Sequence, residues 1–226
     1  LPCASALTER LASICKRRGH QILTFGTGGD VDLHWCKPLP AGQRLAIAVE
    51  GQIREIDLPL IGAFQADNVL CAIALILASG EPPEAVLAAA EKLTVVTGRL
   101  QAVGSGVFVD YAHKPDALRA AITALRPYAK GQLIVLFGCG GDRDRGKRLQ
   151  MGRIAHELAD RVVVIDDNPR SEDPAAIRTE ILRGCPDAVE IGERRKAIAK
   201  AIGWLGSDDV LLIAGKGHET GQEIAG

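Results

Sequence analysis

The sequence lacks the patterns that would place it in several common classes of protein. Its six cysteines are scattered without a CxxC pair, which argues against a zinc site and indicates reduced, structural thiols rather than a disulfide framework. The 27 basic and 28 acidic residues nearly balance, so no overall basic field points to nucleic acid as a partner. A small, locally charged substrate is more consistent with this composition.

Long apolar segments are lacking as well. The longest uninterrupted apolar run covers residues 69–78, which is too short to cross a bilayer. The N-terminus has no basic region leading an apolar one, so no signal peptide is visible. We therefore expect a cytoplasmic protein with no membrane partner. Because the chain begins with Leu1 and its only methionine is Met151, we also expect it to be part of a longer protein.

The second half of the chain alternates between strand-like runs and helical patterns. The runs, rich in Val, Ile or Leu, cover residues 106–111, 132–137, 161–166, 188–191 and 209–214. Between them, apolar residues such as Met151, Ile154 and Leu158 share one face of a helix. This alternation predicts an α/β fold with a Rossmann-like, doubly wound and mostly parallel sheet.

The first half is less regular. We expect a helix at 7–18, strands at 21–25 and within 45–58, and helices at 68–79 and 84–93. This half does not easily close a core of its own on this interpretation. The rhythm changes near Thr97 and Gly98, so we place a domain boundary between residues 1–96 and 97–226.

Four polar motifs directly follow predicted strands. They are DYAHKPD at 110–116, GCGGDRDRGKR at 138–148, DDNPR at 166–170 and GKGHETGQE at 215–223. The carboxyl ends of parallel strands lie on one edge of the sheet, where open α/β sheets bind ligands. Together the motifs predict a ligand site on that edge, although each alone is also typical of a solvated loop.

The DNPR motif at residues 167–170 is the most informative of these segments. Asn168 and Arg170 project from the end of a strand, and the guanidinium fork of an arginine is suited to a carboxylate. The motif therefore predicts a recognition loop for a small acid. The alternative is a solvated turn that Pro169 stiffens, with Asp173 starting the next helix.

Residues 141–148 read GDRDRGKR and nearly match a phosphate-binding P-loop. Arg148 stands where that motif has the Ser or Thr that binds magnesium, and the loop carries bulky charged side chains. We therefore reject a P-loop here and interpret Arg143 as a side-chain contact to an anion.

The histidines leave alternatives open. His113 lies just after a strand, beside Asp110, and fits a structural turn as well as a site. His218 and Glu219 follow another strand in a glycine-rich turn, where a capping role is the alternative to ligand binding. The other histidines have no metal-ligand spacing, so we assign no metal site in this chain.

These motifs resemble those of the Mur ligase family, the ATP-dependent enzymes that add amino acids to the peptidoglycan precursor. The matching segments are TGRL at 97–100, VDYAHKPDAL at 109–118, FGCGGDRDRGKR at 137–148, DDNPRSEDP at 166–174 and AGKGHE at 214–219. The family has three domains, and the chain resembles the rear part of the central P-loop-type ATPase domain followed by most of the C-terminal, Rossmann-like domain. Within the family, the chain is most similar to members that use meso-2,6-diaminopimelate.

The resemblance implies two sets of site residues at matching positions. Those implied for the diaminopimelate site are Arg143, Asn168, Arg170, Gly215 and Glu219, which hold the ligand, and Asp167 and Pro169, which shape the loop. The end of diaminopimelate that does not react offers a carboxylate to the arginines and an ammonium to Glu219. Those implied to approach ATP are Asn68, Arg99, Asp110 and His113. Gln65 stands where the family often has Asn, so Asn68 is the safer nucleotide contact.

The implied reaction forms an amide bond. ATP phosphorylates the D-glutamate side chain of UDP-N-acetylmuramoyl-L-alanyl-D-glutamate, and the amine of diaminopimelate attacks the acyl phosphate, with Mg²⁺ stabilising the oxyanion. The P-loop, the magnesium ligands and the carbamylated lysine of the family lie outside these residues, so we expect this segment alone to be inactive. Two alternatives remain. One is a related ligase that accepts lysine, although Arg170 argues against it, and the other is a non-catalytic amino-acid-binding module.

Overall fold

A computed structural model describes residues 1–224, which form two compact units. Unit 1 covers Leu1–Thr94 and unit 2 begins at Val95. The division falls just before Thr97 and Gly98, where the regular alternation of strand-like and helical patterns begins. Among the described residues, no helix is long and apolar enough to cross a membrane.

Unit 1 combines a three-stranded antiparallel sheet with three helices. The strands are β1 (Val31–Leu39), β2 (Gly42–Val49) and β3 (Gln52–Leu58), and the helices are α1 (Thr8–Arg17), α2 (Ala63–Ala78) and α3 (Pro83–Ala90). Buried residues of the sheet and of α2, including Leu45, Ile47 and Leu70, form a hydrophobic core. The expectation that this half would not easily close a core was therefore wrong, because β2 and α2 each supply an apolar face.

The predicted helices and the hairpin within residues 45–58 are present in unit 1, but two strand assignments differ. The predicted strand at 21–25 contributes isolated bridges at Phe25 instead, because the glycine-rich turn that follows it interrupts pairing. Strand β1 was not predicted from the sequence. Its many polar residues and Pro38 hide the strand pattern, which its long register with β2 stabilises.

Unit 2 is built around a six-stranded sheet. Its strands are β4 (Gln101–Gly104), β5 (Val107–Val109), β6 (Leu133–Phe137), β7 (Arg161–Val164), β8 (Val189–Glu190) and β9 (Val210–Ile213). Its helices are α4 (Pro115–Leu125), α5 (Gly146–Leu158), α6 (Pro174–Leu182) and α7 (Arg194–Ile202), with a 3₁₀ turn at Arg126–Tyr128. The strand order is β4-β5-β9-β6-β7-β8; β4 pairs with β5 antiparallel and the remaining neighbours are parallel. The predicted α/β fold with a mostly parallel sheet is confirmed.

The topology of unit 2 brings the loops after its strands to one edge. Strand β6 is buried along its whole length, as expected of an apolar strand covered on both faces. Ala197 and Ala201 of α7 pack against Ile134 and Leu136 of this strand, and their small side chains let the helix approach closely. Because β5, β6, β7 and β9 run parallel, the four polar motifs emerge at the same edge of the sheet.

Candidate functional site

The four motifs border one cavity of about 700 Å³ within unit 2. We call it the acceptor cavity, because the resemblance implies that the acceptor amino acid binds there. Six of the seven residues implied for diaminopimelate line it, namely Arg143, Asp167, Asn168, Arg170, Gly215 and Glu219. The seventh, Pro169, lines a neighbouring cavity of about 670 Å³. The lining also includes His113, so loops after β5, β6, β7 and β9 all contribute.

The DNPR loop is both a structural turn and part of the cavity wall. Asp173 caps α6 by accepting the backbone N–H of Ala175, and Pro174 occupies the first turn of the helix. Arg170 has a left-handed backbone with φ of 51°. Its Nη1 donates to the carbonyl of Gly141 at 2.9 Å, which holds the guanidinium at the cavity wall. Asp167, Asn168 and Pro169 are buried, so the loop is not the solvated turn of the alternative, although Asp173 starts α6 as that alternative expected.

The loop after β6 lies so close to the DNPR loop that only glycine fits at position 141. A Cβ atom on Gly141 would lie 1.9 Å from the carbonyl oxygen of Pro169. The backbone N–H of Gly141 donates to the carbonyl of Asn168 at 2.9 Å. This backbone contact fixes the spacing between the two loops that carry Arg143 and Arg170.

Arg148, at the position that argued against a P-loop, anchors these loops from inside. Its side chain is fully buried and donates to Glu172 through both terminal nitrogens, at 2.7 and 2.9 Å. It also donates to Glu180 at 3.0 Å and to the carbonyl of Gly140 at 3.3 Å. Hydrogen bonds from Arg148 and from the backbone N–H of Asp142 lower the pKa of Glu172 to about 2. Sequence reasoning did not identify this network, because partners of Arg148 lie up to 32 residues away from it.

Lys216 is a second residue whose role the sequence did not reveal. It lies between Gly215 and Gly217 after β9, and its buried ammonium contacts Asn168 and Glu219. Gly215 has φ of 108°, and a Cβ atom there would lie 2.9 Å from a carboxylate oxygen of Asp167. The only sequence signal for Lys216 was its place in a motif on the strand-end edge.

The acceptor cavity presents both signs of charge. Its lining includes the basic residues Lys114, Arg143, Lys147 and Arg170 and the acidic residues Asp116, Asp144, Asp167 and Glu219. Arginines suit a ligand carboxylate, and carboxylates suit a ligand ammonium. This arrangement can hold a zwitterion such as an amino acid.

Three of the residues implied for ATP cluster around Tyr111 in unit 2. The guanidinium of Arg99 lies 4.7 Å from the centre of the Tyr111 ring. Nδ1 of His113 lies 2.8 Å from the carbonyl oxygen of Tyr111. Asp110 is 6% exposed and accepts the backbone N–H groups of Leu100 and Ala112 at 2.8 and 2.7 Å. Desolvation raises the pKa of Asp110, and these hydrogen bonds oppose the rise.

The fourth residue implied for ATP belongs to unit 1. Asn68 is an exposed residue of α2, and its Nδ2 donates to Oε1 of Gln65 at 3.4 Å. Gln65, the position that departs from the family pattern, is buried.

Two observations among residues 1–224 bear on metal and phosphate binding. Among residues 1–224, no three or more His, Cys, Asp or Glu side chains are grouped to bind a metal. Gly138 and Gly141 approach the protein's own backbone, and Arg148 binds two glutamates. These observations agree with the interpretation that residues 141–148 are not a P-loop.

Comparison with known proteins finds similarity to Mur ligases. The family described as Mur ligase, glutamate ligase domain, matches residues 98–217. The chain is 55% identical over 214 residues to the UDP-N-acetylmuramoyl-L-alanyl-D-glutamate-2,6-diaminopimelate ligase of Caulobacter vibrioides, which covers 92% of this chain and 44% of that protein. For the ligase of the same name from Mesorhizobium japonicum the identity is 51% over 212 residues, with 91% and 44% covered.

A solved structure of a ligase with this name is also similar. It has a TM-score of 0.67 and 31% identity, and the match covers 98% of this chain and 48% of that one. The chain thus spans about half the length of the relatives it matches. The family match covers more than half of the chain and includes Arg143 and the DNPR loop. The chain therefore belongs to the Mur ligase family, of which it carries the glutamate ligase domain.

Proposed function

We propose that the full-length protein containing this chain is an ATP-dependent ligase of peptidoglycan precursor synthesis. It joins meso-2,6-diaminopimelate to UDP-N-acetylmuramoyl-L-alanyl-D-glutamate. The names of the relatives at 51% and 55% identity support this acceptor. In this proposal residues 97–226 form the domain that binds the incoming amino acid, and residues 1–96 form the rear part of the ATP-binding domain.

The acceptor cavity is the observation that carries the proposal. Arg143 and Arg170 can bind the carboxylate at the end of diaminopimelate that does not react. Glu219 and the backbone around Gly215 can accept hydrogen bonds from the ammonium at that same end. Asp167 and Pro169 shape the loop that presents Asn168 and Arg170.

The residues implied for ATP orient the nucleotide and exclude water from the reaction in this proposal. Arg99, Asp110 and His113 complete the nucleotide side of the reaction only when the domains of the full-length protein close. Asn68 is a further nucleotide contact in this proposal. Bound ATP, with Mg²⁺ held by residues elsewhere in the protein, supplies the phosphoryl group that activates the glutamate carboxylate. Since the reaction uses ATP and a UDP-linked precursor, we place it in the cytoplasm, with small molecules as its partners.

The test is ligation by the purified full-length protein. Product formation and ADP release are measured with UDP-N-acetylmuramoyl-L-alanyl-D-glutamate and either meso-diaminopimelate or L-lysine. An arginine left without its carboxylate disfavours lysine, so we expect a preference for diaminopimelate on the order of 10² to 10⁴ in kcat/KM. Equal use of the two amino acids, or no product with either, would contradict the proposal.

A further inference from the structure

A buried lysine connects the polar side chains of the acceptor cavity from behind. Lys216 is 6% exposed. Its Nζ donates to Oδ1 of Asn168 and to the carbonyl of Gly221, both at 2.7 Å. It also lies 3.3 Å from Oε2 of Glu219 and 3.6 Å from Oδ1 of Asp167. Asp167, Asn168 and Glu219 line the acceptor cavity, whereas Lys216 lines the neighbouring one.

The neighbours of Asn168 determine which way its amide group points. Its Oδ1 accepts hydrogen bonds from Lys216 and from the backbone N–H of Glu223, the latter at 2.9 Å. Its Nδ2 is thereby directed at Oε2 of Glu219, 3.3 Å away. An ammonium has donors alone and a carboxylate has acceptors alone, so a flipped amide would oppose Lys216 and Glu219 at once. Lys216 therefore selects the orientation of Asn168 that also holds Glu219.

The charge of Lys216 acts on the carboxylate that faces the cavity. Burial alone raises the pKa of Glu219, but hydrogen bonds from Lys216 and Asn168 and the charge of Lys216 bring that pKa below its ordinary value. Tyr111 contributes a further hydrogen bond, and Arg194 and Asp167 are other charged groups around this carboxylate. Loss of the lysine would leave Asp167 and Glu219 without the cation between them.

We propose that Lys216 is a positioning residue for the ammonium group of a diamino acid acceptor, acting through Asn168 and Glu219 without touching the acceptor. The inference rests on the proposed function, because it assumes that Glu219 meets the ammonium at the end that does not react. That contact is remote from the reacting amine and is similar in the ground and transition states. Lys216 therefore affects KM for the acceptor and leaves kcat nearly unchanged.

The first test substitutes Lys216 in the full-length protein. Lys216→Met keeps an unbranched side chain, one atom shorter, and removes its charge and its donors. We expect KM for meso-diaminopimelate to rise about 10-fold or more, with kcat within a factor of about 2 and KM for ATP unchanged. Lys196→Met is the matched control, because Lys196 is 80% exposed and pairs with Glu193 within its own helix turn.

A pH profile separates positioning from general loss of structure. In the wild type, we expect the acid limb of diaminopimelate binding, measured by calorimetric titration against pH, to report protonation of Glu219, because binding does not require the reacting amine to lose its proton. Lys216→Met should move this limb to higher pH, whereas loosening of the fold would lower the curve without moving it. Lys216→Gln, which keeps a donor for Asn168 but no charge, should also move the limb, and it serves as the test if the Met variant does not fold.

A double-mutant cycle checks the route of the effect. If Lys216 acts through Glu219, the combined Lys216→Met and Glu219→Gln changes should raise KM little more than Glu219→Gln alone. Wild type that does not ligate diaminopimelate would overturn the proposed function and this inference together. Wild type that ligates it, while the Lys216 variants show additive effects or an unmoved acid limb, would overturn the inference alone.

Discussion

The carboxylate of Glu223 lies 2.8 Å from Nε of Arg170. Glu223 therefore pairs with the same guanidinium group that we propose binds the acceptor carboxylate. The backbone of the same residue is tied to the DNPR loop, because the N–H of Arg170 donates to the carbonyl of Glu223 at 3.2 Å. The side chain of Glu223 is 68% exposed, so its ion pair contributes little stability and can be exchanged for a ligand.

Removal of this competing carboxylate should favour the acceptor. We expect Glu223→Gln to lower KM for diaminopimelate about 2- to 5-fold without changing kcat, since an exposed ion pair contributes about 0.2–1 kcal/mol. Steady-state ligation is the measurement. Glu157→Gln, which removes an exposed pair with Arg119, is the control. A higher KM in the Glu223 variant would show that this carboxylate supports the site instead of competing for it.

Arg170 should determine the choice between diaminopimelate and lysine. We expect Arg170→Ala to lower kcat/KM for diaminopimelate by on the order of 10² or more, mainly through KM, and to narrow the preference over lysine. Both acceptors are compared with wild type and with Arg119→Ala, which changes an exposed arginine outside the cavity. Full discrimination by the Arg170 variant would mean that the DNPR loop is not the carboxylate clamp.

The close approach of the two loops predicts an effect of a single methyl group. Gly141→Ala places a Cβ against the carbonyl of Pro169, so the loops must separate. We expect unfolding to become easier by about 1–3 kcal/mol and diaminopimelate to bind more weakly. Gly203→Ala is the control, since the nearest atom to its Cβ would lie 3.5 Å away. Calorimetric titration and thermal unfolding give the two readings, and equal behaviour of the two variants would refute the steric argument.

The ion pairs of Arg148 predict a loss of stability in acid. The pKa of Glu172 is about 2, against an ordinary value of 4.5. A depressed pKa stabilises the folded state fully above about pH 4.5, and this stabilisation is lost as the pH falls through about 2. Glu172→Gln should lower the free energy of unfolding at pH 7 by about 1–2 kcal/mol and weaken its dependence on pH over that range. Urea unfolding at several pH values measures both effects.

The control for the acid experiment is again Glu157→Gln, because Glu157 is 60% exposed and its pair is solvated. It should follow the pH dependence of the wild type. If Glu172→Gln does the same, the pair with Arg148 does not contribute to acid stability.

The sequence predicted those features that follow from local periodicity and chain topology. Once β6, β7 and β9 were recognised as parallel strands, the loops bearing Arg143, Arg170 and Glu219 had to meet at one edge. The direction of the parallel strands alone determines that these loops share an edge. Residues of these loops do line one cavity.

The features that the sequence did not predict depend on contacts between distant side chains. Strand β1 is stabilised by its pairing with β2, and its polar composition does not reveal it. Lys216 reaches Asn168 across 48 positions, and Arg148 reaches Glu172 across 24. Such partners have no shared spacing that a single sequence can display. Tyr111 belongs to the DYAHKPD motif, but its contact with Arg99 could not be predicted, because it depends on how the two loops fold.

The anchoring of the cavity by Arg148 has a consequence for changing the acceptor. The residues that hold the loops in place, Glu172 and Glu180, lie outside the DNPR loop at 167–170. A ligase of altered acceptor preference can therefore be sought by replacing side chains at the cavity wall, such as Asn168 and Arg170, while the support beneath them is kept. The anchor and the recognition surface are different side chains of one loop system, so side chains at the cavity wall can be varied while Arg148, Glu172 and Glu180 are kept.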